Sequence, residues 1–173
     1  SPPSSFPDLT KCDRIAIDLE TRDPNLMKLG PGWCRKDGYV IGVAVAAGDF
    51  IAYYPIRHEG GGNIPPKKVF TWLKKQMETP HIEKVFHNSM YDLGWLRAEG
   101  IEVQGKIIDT MIAAPLLNEN RRYYNLNSLA GEYLGEWKNE RIMNKAAEYF
   151  GVDPKSGMWQ LPSRFVGAYA EQD

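Results

Sequence analysis

The sequence predicts an α/β domain in which a mixed, five-stranded sheet is flanked by helices. Three observations carry this expectation. Apolar and polar residues alternate from Arg14 to Glu20, as in a half-buried strand. Two apolar runs meet at Gly48-Asp49, a strong hairpin signal. Later short strands are separated by helical periodicity, and the chain beyond Leu117 is mostly helical.

The first strand is expected over Arg14–Glu20, where Ile15, Ile17 and Leu19 alternate with Ala16, Asp18 and Glu20. Pro24, Gly30, Pro31 and Gly32 then mark an irregular loop. Tyr39–Ala47 and Phe50–Ile56 form the hairpin. After Gly60-Gly61-Gly62, Pro65-Pro66 suits the first turn of a helix carrying Val69, Phe70, Leu73 and Met77 on one face. Lys84–His87 reads as a strand, Ser89–Ala98 as a helix, Lys106–Asp109 as the last strand and Thr110 to about Leu117 as a helix. Leu126–Leu134 and Lys138–Phe150 carry helical periodicity, stopped by Gly135 and Gly151. Arg164–Asp173 is expected as a final helix.

A length of 173 residues fits one compact domain with a real core. The apolar fraction of 43% argues against disorder. With 21 Lys+Arg against 22 Asp+Glu, the net charge is −1, which excludes a protein gripping nucleic acid chiefly through a strongly basic surface. It leaves room for one that grips it through metal ions. The longest apolar stretch, Val40 to Gly48, is far below the roughly 18 residues of a membrane span, so no membrane partner is expected. Ser1–Thr10 is rich in Pro and Ser and lacks the pattern of a signal peptide. Residues 1–13 are read as a linker or cloning remnant, and 14–173 as the domain. Cys12 and Cys34 make neither a zinc pattern nor a disulfide framework, which points to a reducing, cytoplasmic setting.

Three segments hold the chemistry. Asp18 and Glu20 point the same way from the first strand, a costly pairing unless something offsets the charge, although a solvated strand end would also carry it. Asn88-Ser89-Met90-Tyr91-Asp92 follows the strand ending at His87; Asn88 can cap the next helix and Asp92 lies one turn in. Tyr169 and Asp173, at i and i+4, share a helical face. Tyr149 and Asp153 have the same spacing, but Gly151 and Pro154 place Asp153 past a helix end.

In that order, D-x-E, N-x-x-Y-D and Y-x-x-x-D resemble the three motifs of the DEDD superfamily of 3′→5′ exonucleases. Tyr169 marks the tyrosine subclass, since Ala168 stands where the other subclass has histidine. Separations of 74 and 81 positions between Asp18, Asp92 and Asp173 resemble the proofreading domain of family A DNA polymerases. HNSMYDLGWL, ENRRYYNLNSLAGEYLG and MWQLPSRFVGAYAEQD are similar to bacteriophage members of that family. The resemblance runs from about Arg14 to Asp173.

It implies a ribonuclease H-like fold and a two-metal-ion exonuclease that releases nucleoside 5′-monophosphates from the 3′ end of single-stranded DNA. The charges ask for cations independently. Two carboxylates about 4 Å apart repel by roughly 4 kcal/mol at an effective dielectric near 20. Oxygen ligands without His or Cys suit Mg²⁺ or Mn²⁺, and two such ions about 4 Å apart clamp an in-line displacement at phosphorus. By the resemblance, Asp18 would bridge both ions, Glu20 and Asp173 would complete the site that activates water, and Asp92 would hold the second ion. Tyr169 would orient the attacking water, a phenol with a pKa near 10 being a poor base at neutral pH. Thr21 and Asn88 resemble positions that touch the terminal nucleotide. Four acids neutralised by two divalent ions would turn the net charge of −1 into about +3.

Arg121 and Arg122, followed by Tyr123 and Tyr124, are a candidate for backbone contact and base stacking, with a surface loop as the competing reading. Lys67, Lys68, Lys74 and Lys75 read as a solvated helix face, Trp72, Leu93, Trp95 and Leu96 as core, and Asp109 as a cap for the helix at Thr110. A polymerase domain of the same parent chain is expected beyond Asp173, with the isolated domain monomeric. An RNA-trimming exonuclease of the ribonuclease D kind and a degenerate single-strand-binding module are the alternatives.

Overall fold

The structure, a computed structural model, describes residues 3–172. Its central strand, β1 (Arg14–Arg22), pairs antiparallel with β2 (Tyr39–Ala47), which turns into β3 (Phe50–Pro55). On its other side β1 runs parallel to β4 (Glu83–Phe86), and β4 to β5 (Ile107–Asp109), giving the order β3-β2-β1-β4-β5. The expected mixed sheet of five strands is therefore present. Parallel neighbours need crossovers, supplied by α2 (Pro66–Met77) and α3 (Ser89–Ala98).

The two faces of β1 divide the core. Ile15, Ile17 and Leu19 pack with Leu73 and Met77 of α2 and Trp95 and Leu96 of α3. On the opposite face, Ile41, Ala44 and Tyr53 of the hairpin pack against α6 (Arg141–Phe150) and α7 (Ser163–Ala170) through Met143, Ala147, Val166 and Ala170. α4 (Thr110–Leu117) and α5 (Leu126–Tyr133) lie between β5 and α6 in sequence. Among the described residues no helix is long and apolar enough to cross a membrane.

Several boundaries move for physical reasons. β1 extends two residues past Glu20, because beyond a bulge at Glu20/Thr21 the residues Thr21 and Arg22 still pair with Val40 and Tyr39. The loop after it holds α1 (Leu26–Leu29) and a 3₁₀ turn at Gly32–Cys34, braced by Arg35 on the carbonyls of Leu29, Gly30 and Pro31. α6 starts at Arg141 rather than Lys138. Asn127 takes the amide of Lys138 at 2.9 Å and Gln172 that of Asn139 at 2.7 Å, which holds those residues out of the helix. A second 3₁₀ turn, Met158–Gln160, precedes α7.

The segment read as a linker is packed. Leu9 is buried, its amide bonds Gln76 Oε1, and Phe6 lies against Tyr54 and Trp72. Burying Leu9 contributes about 2 kcal/mol and the half-buried Phe6 adds less, which the Pro- and Ser-rich composition concealed. Lys74 and Lys75 pair with Glu78 and Asp8 at the surface, as a solvated face should.

Candidate active site

Alternation along β1 sets Asp18 and Glu20 on one face, and they line a cleft of about 1060 Å³ with Asp92 and Tyr169. Glu20 and Asp92 are buried, at 8% and 3% exposure. Asp92 lies in the first turn of α3, and its Oδ1 accepts the backbone N–H of Leu19 at 3.1 Å. Leu19 stands between Asp18 and Glu20, so this bond docks α3 on the acidic end of the strand. Burial, then the charge of Asp18, pushes Asp92 up to about 8.

Glu20 is registered opposite Gly42 of β2, where the hydroxyl of Tyr53 fills the space a side chain would need, 1.9 Å from an added Cβ. Only glycine fits there. Burial, then the charges of Glu20 and Asp18, raises Tyr53 well above 10, so it stays a neutral phenol beside them. Its hydroxyl meets Nε2 of His58 at 2.7 Å, and burial lowers His58 to about 4. A neutral pair thus backs the two carboxylates at neutral pH.

Tyr169 reaches the cleft on α7, which is held from several sides. Ser163 N donates to Gly61 O, Tyr53 N donates to Glu171 Oε1 at 3.1 Å, and Nζ of Lys138 sits 5.1 Å from the ring centroid of Tyr169. The Tyr149–Asp153 pair is no rival: Tyr149 is 85% exposed, and Asp153 caps the turn at Lys155 and Ser156. α7 closes at Ala170. Asp173, the remaining expected ligand, lies outside the described residues.

Thr21 and Asn88 also line the cleft. Tyr91 donates to Asp23 Oδ2 at 3.1 Å, which leaves its oxygen to accept from Thr21 Oγ1 at 2.7 Å. The Thr21 oxygen thereby keeps acceptor capacity for a ligand. Asn88 does not cap α3. It adopts a left-handed backbone (φ 73°) and makes no capping bond. Asp109 takes that role, accepting from Asn88 N at 3.1 Å and Ser89 N at 2.6 Å while also capping α4 through Met111 and Ile112. Burial alone would raise Asp109; these hydrogen bonds, led by those from Ser89, outweigh it and hold the carboxyl below its ordinary value.

Arg121 and Arg122 are not brought to the cleft. The Arg121 guanidinium is bound to Glu132 and lies 4.7 Å from the Tyr133 ring centroid, and Arg122 covers Tyr123. In their place the cleft presents Arg22, Lys28, Tyr91, Lys155 and Trp159. Alternation from Glu20 points to Arg22 and the second motif contains Tyr91, whereas no local signal marks Trp159.

Among the described residues no group of three His, Cys, Asp or Glu is close enough to hold a metal. The donor chemistry nevertheless fits a hard cation: Asp18, Glu20 and Asp92 offer carboxylate oxygens only, and Asp92 is raised by burial and then by the charge of Asp18, both of which a divalent ion would offset.

A family model described as 3′-5′ exonuclease, from DNA polymerase A, matches residues 5–173. A DNA-directed DNA polymerase of Pseudomonas phage M6 is 41% identical over 174 residues, which cover 98% of this chain and 26% of that protein. The chain thus spans about a quarter of that relative's length. Among solved structures, Trypanosoma brucei RNase D in a GMP complex superposes with a TM-score of 0.67 at 16% identity, over 97% of this chain and 49% of its own. Brucella melitensis NrnC with bound Mg²⁺ gives a TM-score of 0.60 at 21% identity, over 96% and 68%. These structural likenesses bear on the fold alone, and that fold is the expected ribonuclease H-like one.

Proposed function

The chain belongs to the 3′-5′ exonuclease family of DNA polymerase A, and from that premise we propose that it trims single-stranded or frayed DNA with Mg²⁺ or Mn²⁺, releasing nucleoside 5′-monophosphates. The observation that carries this reading is the tie between Asp92 and the Leu19 amide, which sets a buried third carboxylate beside Asp18 and Glu20 in one cleft with Tyr169. Asp18, Glu20, Asp92 and Asp173 would hold two cations. Bound there, such ions supply charge neutralisation, a lowered pKa for water and support for the leaving oxygen.

The protein's own groups set the geometry. Tyr169 orients the attacking water by hydrogen bonding, opposite the departing 3′ oxygen. Water adds to the terminal phosphorus as the bond to that oxygen breaks, leaving a nucleoside 5′-monophosphate and a strand one nucleotide shorter with a free 3′-hydroxyl. Thr21 and Asn88 contact the terminal nucleotide, Thr21 as the acceptor its chain to Tyr91 and Asp23 leaves it. The neutral Tyr53–His58 pair keeps water from reaching Asp18 and Glu20 from behind.

The length of the phage relative supports a polymerase domain in the same parent chain, in a bacterial or phage-infected cytoplasm. That domain would deliver the mispaired 3′ end, and the exonuclease domain itself would act as a monomer. Replacing Asp18 and Glu20 together by Ala tests the reading. Turnover of a single-stranded DNA oligonucleotide should fall to background while the circular dichroism spectrum is kept; full turnover would sink it. A matched RNA oligonucleotide should be cut more slowly, and a strong RNA preference would move the reading to an RNA-trimming enzyme.

A further inference from the structure

We propose that Arg22 binds an internal phosphate of the substrate strand, upstream of the linkage being cut; this rests on the exonuclease reading above. Arg22 is the last residue of β1, two positions beyond Glu20 and on the same face by alternation. Its Cζ lies 4.7 Å from the ring centroid of Trp159 and 5.7 Å from that of Tyr39. Arg22 and Trp159 both line the cleft that holds Asp18, Glu20, Asp92 and Tyr169.

Several arginines spend their charge on carboxylates, Arg14 on Glu83, Arg57 on Glu99 and Arg97 on Glu102; Arg122 and Arg164 lie over Tyr123 and Phe165, but neither lines the cleft. Among the described residues Arg22 has no such acceptor and meets aromatic faces instead. A guanidinium stacked by its face keeps its N–H donors in plane at the edge, and that fork matches two phosphate oxygens. Contact with the two rings restrains the guanidinium in advance, so less side-chain freedom is lost when an anion arrives. The need for a cation here is plain from the charges, because a strand approaching three carboxylates is repelled unless positive charge meets its phosphates.

Position selects an internal phosphate over the scissile one. Two residues along a strand are about 6.6 Å, comparable to one nucleotide of an extended strand. With the terminal phosphate at Asp18, Glu20 and Asp92, a strand laid along β1 would bring its next phosphate to Arg22. Trp159 is anchored through its carbonyl, which accepts the amide of Glu59 at 2.9 Å, so the stacking platform is itself held by the loop after β3.

The test is binding of a fluorescent ten-nucleotide single strand in chelator across a salt series, read by anisotropy. Arg22→Met should weaken binding about tenfold at low salt and reduce the slope of log affinity against log salt by about 0.7, the loss of one phosphate contact on a single strand. Arg22→Lys should restore most of the slope and only part of the affinity. With Mn²⁺, Arg22→Met should raise KM for that strand about tenfold with kcat within twofold. Hydrolysis of thymidine 5′-monophosphate p-nitrophenyl ester, which has no upstream phosphate, should be unchanged. An unaltered salt slope, or an equal loss of kcat on both substrates, would overturn the assignment. Absence of 3′ trimming by the unmodified protein would instead sink the exonuclease reading, and the salt slope would still decide the role of Arg22.

Discussion

The backbone N–H of Leu19 donates to Oδ1 of Asp92 across 3.1 Å, so the acid of the second motif is fastened between the two acids of the first. This bond joins β1 to α3 beside the carboxylates of Asp18 and Glu20. It also separates the structural role of Asp92 from its chemical one.

Asp92→Asn keeps an acceptor for Leu19 but removes the charge. Exonuclease activity should fall by about 10²-fold or more, while the melting temperature in chelator at pH 5 stays within a few degrees. Asp92→Ala also strands a buried amide, at about 1–3 kcal/mol, and should melt clearly lower. Melting curves and initial rates on the pair check this, and equal activity in Asp92→Asn would contradict it.

The raised pKa of Asp92, about 8 against an ordinary 3.8, makes stability depend on pH. Between those values the folded chain keeps a proton that the unfolded chain releases. Its contribution is therefore full below about 4, declines as pH rises towards about 8 and levels off above. In chelator, Asp92→Asn should melt close to the unmodified protein at pH 5 and above it at pH 8.5. Mn²⁺ at pH 8.5 should raise the melting temperature of the unmodified protein and do much less for the variant.

Tyr169→Phe keeps the ring that Lys138 covers and loses only the hydroxyl. Turnover should drop by roughly 10²-fold with KM within about threefold. A KM effect with kcat intact would assign Tyr169 to binding alone.

Arg121→Ala removes a guanidinium that the structure gives to Glu132 and Tyr133. Single-strand binding and turnover should stay within twofold, and the melting temperature should fall by about 2–4 °C, the effect of about 1 kcal/mol in a domain of this size. A tenfold loss of DNA affinity would restore Arg121 to the substrate path.

Elements whose signals are local were legible from residues alone. The bounds of α3 and α4 match the expectation, and Asp109 caps α4 as expected. What escaped was set by partners distant in sequence. Asp109 also caps α3 because parallel pairing of β4 and β5 brings it there, and a spacing rule that looks three residues ahead credits Asn88 instead. Leu9 and Phe6 were hidden in a Pro-rich stretch whose burial depends on Trp72 and Gln76 of α2. Asp18, Glu20 and Asp92 were readable because strand alternation and motif order are properties of the chain. Trp159 was not, since contacts from Glu59 and the Gly60–Gly62 loop, about a hundred residues earlier, place its turn against β1.

The most direct measurement follows a single-stranded DNA labelled once at its 5′ end and once at its 3′ end, incubated with Mg²⁺ or Mn²⁺. The 5′ label should move through a ladder shortened one nucleotide at a time while the 3′ label appears at once as a nucleoside 5′-monophosphate, and excess chelator should abolish both. Internal cuts, shortening from the 5′ end, or undiminished products in chelator would contradict the account.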